Sequence, residues 1–447
     1  MKRDCTTVLI PFVYFIAGAV GLAGIAGTFF YKEELGLSIQ QVQILGSLSL
    51  IPWSIKPLYG LISDRFPIGG RRRKPYLLLA GIFGSLGYLI LAQAMTYRDV
   101  LVATLVSALG LALADVIVDG IVAERSRSHT AAGKLQSICR AAIMLGALSV
   151  AYLSGILVES IGARKVFLIT AFLPLCTSLL ALFIVEPQNF AQASTSIRKL
   201  WQQLRSSLSR DVLFAAAFLF VWRSTPTSGG ALTYYMIDEL HFSPEFFGRL
   251  STLSSVMGII GVLVFRKFLL RLPLRRLLKG IIVASILLSL PTLGLVYRWY
   301  EPLHVSPHFF AMADTLISAP LTEIGFLPLL VLVARVCPKG LEATVFALLA
   351  SLMNIGLAVS DLGGAALVSF FDVHQALPSP ADPTMLLPAN YHGLHIVLWI
   401  AILSSALPWP LLRFLPETRT AEDTAVFQGP SGLQPILPPL QEQQDIS

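Results

Sequence analysis

Charge is what this chain has least of. Asp, Glu, Lys and Arg make up 13% of its 447 residues, whereas 55% are hydrophobic. Soluble domains carry roughly twice that charged fraction, and a soluble chain of this length would divide into domains with polar surfaces. The apolar residues instead come in blocks of about twenty, the length that crosses ~30 Å of hydrocarbon. Cysteine is scarce as well. Cys5, Cys139, Cys176 and Cys337 show no paired spacing; two lie in apolar runs and one on a loop, which argues against a disulfide framework and against a metal site. The histidines fall mostly on loops without ligand spacing, so neither metal nor cofactor is expected. About seven residues precede the first apolar run. That run is too long for a signal-peptide core and has no convincing cleavage site, so it reads as a first membrane span.

Spans are expected near residues 9–31, 41–62, 76–95, 99–123, 135–158, 165–185, 211–236, 247–265, 280–298, 308–334, 342–370 and 393–414. The longest interior stretch without one, 186–210, is polar and rich in Ser and Gln, and it divides six helices from six. The expected fold is all-α: a polytopic membrane protein of twelve transmembrane helices in two six-helix, pseudo-symmetric bundles, the plan of the major facilitator fold. Residues 1–190 would form the first bundle, 191–210 a cytoplasmic linker, 211–416 the second bundle and 417–447 a disordered tail rich in Pro, Gln and Glu. Of the 33 Lys and Arg, 24 fall on one face and 6 on the other, with Lys56, Arg140 and Arg223 left inside spans. The positive-inside rule makes the rich face, and both termini, cytoplasmic. The densest basic loops, 65–74 and 266–279, hold equivalent places in the two halves and read as a weak internal repeat.

Gly60-Leu61-Ile62-Ser63-Asp64-Arg65 with Arg71-Arg72-Arg73-Lys74 resembles the helix 2–3 signature of major facilitators. Asp64 ends a helix beside basic side chains and can gate by charge pairing made in one conformation and broken in the other. The plainer alternative is a solvated loop that only sets topology.

Longer stretches are similar to one family. Pro52-Trp53-Ser54-Ile55-Lys56-Pro57 through Asp64, then Arg71–Tyr76, resemble the folate–biopterin transporter family. So do Asp115-Val116-Ile117-Val118-Asp119 with Glu124-Arg125, Leu135-Gln136-Ser137, Phe242–Arg249, and Cys337–Leu349. The matches run in order through both halves. The resemblance implies transport of folates or related pterins, with proton coupling open, a lipid bilayer around the protein, and cyanobacteria, plants or protozoa as its setting.

A charge at mid-bilayer costs on the order of 3 kcal/mol on insertion scales, so each one needs a partner or a wet cavity. Asp115 and Asp119 lie one turn apart on one face of the fourth span, and counting along the helices puts Asp115 and Lys56 roughly 12–14 Å deep. With Arg140 and Glu124 they form an expected charge network. Asp115 is read either as a proton-coupling or substrate carboxylate or as part of a salt-bridge lock; Asp119 and Glu124 favour the lock. In the second half, Arg223 and Glu323 come out at an equal depth of about 18 Å and are expected to pair across one aqueous space. The family pattern implies uncharged polar residues at both positions, so a pair here would be a compensated departure. Arg223 suits a glutamyl carboxylate through bidentate pairing; Glu323 or Asp115 suits the 2-amino and N3–H edge of a pterin. Asp314 and Asp361 are expected to face an outer vestibule. Pro226 and Gly229-Gly230 suggest a break before Tyr234-Tyr235 that lets a tyrosine stack on a pteridine ring, with interfacial belt tyrosines as the alternative. Gly18, Gly21, Gly24 and Gly27 read as close helix packing.

Asp115-xxx-Asp119 also has the spacing that binds magnesium diphosphate in intramembrane prenyltransferases. Such enzymes need a second Asp-rich motif, and neither Asp314 nor Asp361 has a partner at that spacing. A non-transporting receptor on the same fold is the other alternative. The residues thus point to a monomeric transporter, not an enzyme, moving a folate- or pterin-like anion by alternating access; nothing suggests nucleic acid.

Overall fold

A computed structural model describes residues 6–125, 129–184, 186, 209–269, 272–337, 342–378 and 386–416. Among these the chain makes twelve helical passes. The first, α1, is composite: Thr6–Ala19, a 3-10 turn Val20–Leu22, Ala23–Phe29 and a π turn Phe30–Glu34. It is followed by α2 (Ile39–Ser49, Ile51–Ser54 and Lys56–Arg65), α3 (Lys74–Gln93), α4 (Tyr97–Arg125), α5 (His129–Ile161) and α6 (Ala163–Phe183). The second half comprises α7 (Arg210–Arg223 and Gly229–Asp238), α8 (Pro244–Val264), α9 (Leu274–Leu288 and Leu290–Val296), α10 (Pro307–Val336), α11 (Glu342–Phe370) and α12 (Leu394–Ser404). Two-residue strands β1 (Leu377–Pro378) and β2 (Leu386–Leu387) pair antiparallel in the α11–α12 connection.

Ten passes are helical stretches, some with an internal turn, long and apolar enough to cross a membrane. The expected spans at 41–62 and 211–236 are built from shorter pieces, and proline explains both. Proline has no N–H to give the carbonyl one turn back and crowds it sterically. Pro57 therefore frees the Trp53 carbonyl, which takes a hydrogen bond from Asn354 of α11 at 3.0 Å. Pro226 stops the first piece of α7. The loose backbone at 224–228 is stitched by Thr227 N–H to the Ser360 carbonyl of α11 (3.3 Å) and by Gln43 Nε2 of α2 to the Thr227 carbonyl (3.2 Å). Elsewhere helix starts are conventional. Ser38 and Gln41 form a capping box, and Ser243-Pro244 and Ser306-Pro307 supply a hydroxyl cap followed by a first-turn proline.

Apolar packing falls into sets that follow the halves. Val20, Phe30, Leu91, Val100 and Phe167 join α1, α3, α4 and α6, while Phe218, Leu278, Leu329 and Leu349 join α7, α9, α10 and α11. At the face opposite the basic loops the sets mix, with Ile237 entering the first half's core and Ile39 the second's. Close backbone approach does the rest. A Cβ on Gly18 would lie 2.0 Å from the Ile143 carbonyl oxygen, and one on Gly146 2.1 Å from that of Phe15, so α1 and α5 touch through glycine. The same reading does not extend along α1. A Cβ on Gly21 or Gly24 would meet nothing within 4 Å, and one on Gly27 only the Tyr31 ring. These three open space instead of closing it. The expected linker (apart from Ser209 and Arg210) and the tail 417–447 lie outside the described residues.

Gly18→Ala should therefore lower stability by ~1–3 kcal/mol through overpacking. Gly21→Ala should leave it equal or higher, because alanine favours helix by roughly 1 kcal/mol. Thermal unfolding in detergent compares the two; equal losses would contradict the packing described.

Candidate substrate cavity

A cavity of about 480 Å³ opens beside the glycines of α1. Its lining comes from α1, α2, α3, α4 and the second piece of α7, including Gly21, Gly24, Tyr31, Tyr88, Ser107 and Tyr234. A second cavity of about 360 Å³ lies between Ile25 of α1, α8 and α10, with Ser251, Ser254, Thr315, Ser318 and Thr322 on its walls. Both fall within or near the range of ordinary ligand pockets, roughly 300–1,000 Å³. Of the helices that line them, α1 is common to the two.

The intramembrane charges sit deeper toward the basic face, and most have a partner. Lys56 Nζ meets Asp115 Oδ2 at 2.7 Å and lies 4.4 Å from the centre of the Trp53 ring. Asp119 accepts a short hydrogen bond from the Tyr14 hydroxyl. The side chain of Glu124 lies outside the described residues. Arg140 does not join this network. Its Nη2 reaches Glu323 Oε2 at 3.2 Å, linking α5 of one half to α10 of the other. Arg140 is eleven residues into α5 and Glu323 thirteen before the end of α10, so both lie roughly 16–20 Å along their helices. The helix that carries Arg140 begins at His129, and its apolar span at Ile138.

The expected Arg223–Glu323 pair does not form. Arg223 leaves the last turn of the first α7 piece on its α11 side, where a Cβ on Gly356 would come within 2.8 Å of its own Cβ. Its charge faces Asp361, and Phe326 lies 5.9 Å from its guanidinium. Equal depth fixed nothing about direction around the helix. Asp361 accordingly belongs to this contact and to Gly46 of α2, 3.2 Å from where a Cβ would stand, and not to an outer vestibule. Asp314 likewise faces inward, accepting from Thr292 Oγ1 at 3.0 Å.

The tyrosines divide. Tyr234, 1% exposed, is among the residues around the larger cavity, and its hydroxyl donates to the Leu37 carbonyl at 3.0 Å. Tyr235 is packed in the second half's core against Tyr391 and donates to the Leu295 carbonyl at 3.3 Å, away from the cavity. Beside them is a group the sequence reading treated as loop charge. Lys32, at the end of α1, pairs with Asp238 at the end of α7, and Asp238 also accepts from the Tyr391 hydroxyl at 2.6 Å. Burial, then Asp238 itself, hold the Tyr391 phenol well above its usual pKa, so it remains a donor. Gln375 Nε2 adds a bond to the Leu37 carbonyl at 3.1 Å. Together these contacts close the far side between α1, α7 and the α11–α12 connection.

On the basic face Asp64 pairs with Arg73 at 2.8 Å and approaches Arg72 at 3.9 Å. Arg73 is 8% exposed, and its Nη1 donates to Ser63 Oγ at 2.8 Å. Arg65 is exposed, and Arg71 forms an isolated bridge with Ile68 across Gly69-Gly70, whose φ values of 58° and 72° require glycine. Glu186, past the end of α6, accepts from the backbone N–H groups of Arg72, Arg73 and Lys74 at 2.6–3.1 Å. These contacts of the motif lie within its own half. No sequence pattern marked Glu186, because its function is to cap a helix three spans away.

The model of the BT1 family matches residues 17–427 of this chain. The folate-biopterin transporter of Synechocystis sp. is 36% identical over 439 residues, covering 96% of this chain and 86% of that one. Folate transporter 2 of Plasmodium falciparum is 30% identical over 376 residues, 82% of this chain and 81% of its own. Probable folate-biopterin transporter 2 of Arabidopsis thaliana is 29% identical over 383 residues, 79% and 76%. A D-xylose–proton symporter superposes with a TM-score of 0.68 over 93% of this chain and 98% of its own at 16% identity. A nucleoside transporter gives 0.68 over 92% and 100% at 13% identity. At such identities the likeness is one of fold. The fold is that of major facilitator transporters, and the protein is an integral, multi-pass membrane protein that transports a small molecule. The prenyltransferase reading loses its ground: the relatives are transporters, and Asp115 and Asp119 are both engaged by side chains of this protein.

If the Lys32–Asp238 contact closes the far side, Lys32→Met with Asp238→Asn should let it open. Spin labels at the exposed loop positions Met95 and Leu303 (73% and 62% exposed) would then report a longer distance than in the unsubstituted protein. An unchanged distribution would mean the pair holds nothing shut.

Proposed function

The chain belongs to the BT1 family, and on that premise we propose that it carries folate or a related pterin by alternating access, with both termini cytoplasmic. The observation that carries the reading is the Arg140–Glu323 pair. It joins the two halves at depth, and its two members can each be taken by what a folate carrier handles. A cargo carboxylate can replace Glu323 on the Arg140 guanidinium in bidentate geometry. A proton can neutralise Glu323 and release Arg140 to the cargo. Either event loosens the link between α5 and α10, which ties binding to movement of the halves. Arg223, at the break in α7, offers a second cation to a carboxylate, and Asp115 is held by Lys56 as part of the first half's frame. Tyr234 offers a ring face to the cargo. The excess of basic residues on the α2–α3 face, 24 to 6, supports the cytoplasmic orientation, and the closed far side then corresponds to an inward-facing state. The chain is taken to act as a monomer, with protons as the coupling ion.

Uptake into proteoliposomes tests this. Labelled folate and biopterin should both accumulate, faster with the outside acid. Arg140→Gln should reduce folate uptake roughly tenfold or more, the scale of a charge-assisted hydrogen bond, and spare biopterin, which has no carboxylate. Glu323→Gln should flatten the response to the pH gradient. Absence of uptake of either pterin by correctly folded protein would overturn the reading.

A further inference from the structure

The larger cavity contains no Asp, Glu, Lys, Arg or His among its described lining residues. A charged part of any cargo would be unpaired there, so the cavity suits an uncharged portion. Its floor is backbone: Gly21 and Gly24 turn faces with nothing within 4 Å of a Cβ toward it. Glycine lets a flat ring approach the main chain at van der Waals distance. Tyr234 supplies an aromatic wall.

Open glycines alone would not make a site, but the polar lining is unevenly spent. Thr104 donates its hydroxyl proton to the Val100 carbonyl (2.8 Å), Ser107 to Thr104 (3.1 Å) and Thr233 to Gly229 (2.8 Å). A hydroxyl has one proton, so these three can offer a cargo only acceptor lone pairs. Tyr88 is the converse. It is 8% exposed and lines the cavity, as does Tyr31, and neither hydroxyl is spent on a hydrogen bond to a described residue. A phenol proton left unspent beside an uncharged cavity is available to an acceptor that arrives with the cargo.

We infer that this cavity is the seat of a pterin ring: a planar, uncharged heterocycle laid on Gly21 and Gly24, its amino and ring N–H groups donating to Thr104, Ser107 and Thr233, and its carbonyl and ring nitrogens accepting from Tyr88 and Tyr31. The inference rests on the pterin-carrier reading and assigns the ring and the acidic tail to different places, the tail to Arg140. Cargo selection by the ring therefore does not depend on the ion pair.

A cysteine at Gly24 has room, and its modification reads the site directly. In full-length Gly24→Cys protein reconstituted in liposomes, a small neutral methanethiosulfonate should label that position above the background of the native cysteines. Saturating biopterin or folate should slow labelling roughly fivefold or more; p-aminobenzoylglutamate, which has the tail without the pterin ring, should not. Tyr88→Phe should raise the KM for biopterin roughly tenfold with little change in maximal rate, the scale of one hydrogen bond lost in a buried site. Equal protection by p-aminobenzoylglutamate, or none by biopterin in protein that still takes biopterin up, would overturn the ring site and leave the carrier reading standing. Protection by biopterin without uptake would sustain the ring site and remove the carrier reading.

Discussion

A charge held at the depth of the hydrocarbon must have a counter-charge or water, and the arrangement of this protein follows from how that requirement is met. Lys56 with Asp115 is settled inside the first half, and Arg223 stays within the second, beside α11. Among the described residues, two pairs join the first six helices to the second six: Lys32 with Asp238 at the far face and Arg140 with Glu323 at depth. Removing one member of such a pair strands the other, so neither half can move without exchanging partners. A cargo that brings its own carboxylate, or a proton, is a legitimate exchange partner. The electrostatics that stabilise the resting state are therefore the ones a transport cycle has to rearrange.

The breaks in α2 and α7 serve the same seam with neutral groups. Pro57 and Pro226 prevent an unbroken ladder, and the freed carbonyls of Trp53 and Thr227 are satisfied by Asn354 and Gln43 across the interface. Irregular backbone at this depth is tolerated because side chains from the opposite half complete it. Gly229-Gly230 then resume α7 at the wall of the cavity, so the same break that costs the helix its continuity gives the cargo an uncluttered surface.

Much of this was legible beforehand. Spans, halves and basic loops follow from hydropathy and charge, which depend on composition along one axis. The partners of intramembrane charges do not. Depth counting brought Arg223 and Glu323 to one level but said nothing of azimuth, and the close approach permitted by Gly356 turned Arg223 toward α11. Arg140 was expected in the Lys56–Asp115 network, and its contact with Glu323 depends on a helix of the other half. The glycine repeat of α1 was half understood: Gly18 packs, while Gly21 and Gly24 face open space, a distinction set by neighbours remote in sequence. Lys32, Tyr14, Glu186 and Tyr88 carried no local pattern. Their roles come from residues 105 or more positions away, as for Tyr14 with Asp119 and Lys32 with Asp238, or from a partner that is missing.

The central claim is that Arg140 and Glu323 act as one unit across the two halves. A double-mutant cycle on thermal unfolding in lipid nanodiscs, using Arg140→Gln, Glu323→Gln and the two together, measures this directly. The account predicts that each single substitution destabilises the protein and that the double recovers much of the loss, with a coupling of roughly 1 kcal/mol or more. Additivity within about 0.3 kcal/mol would contradict it.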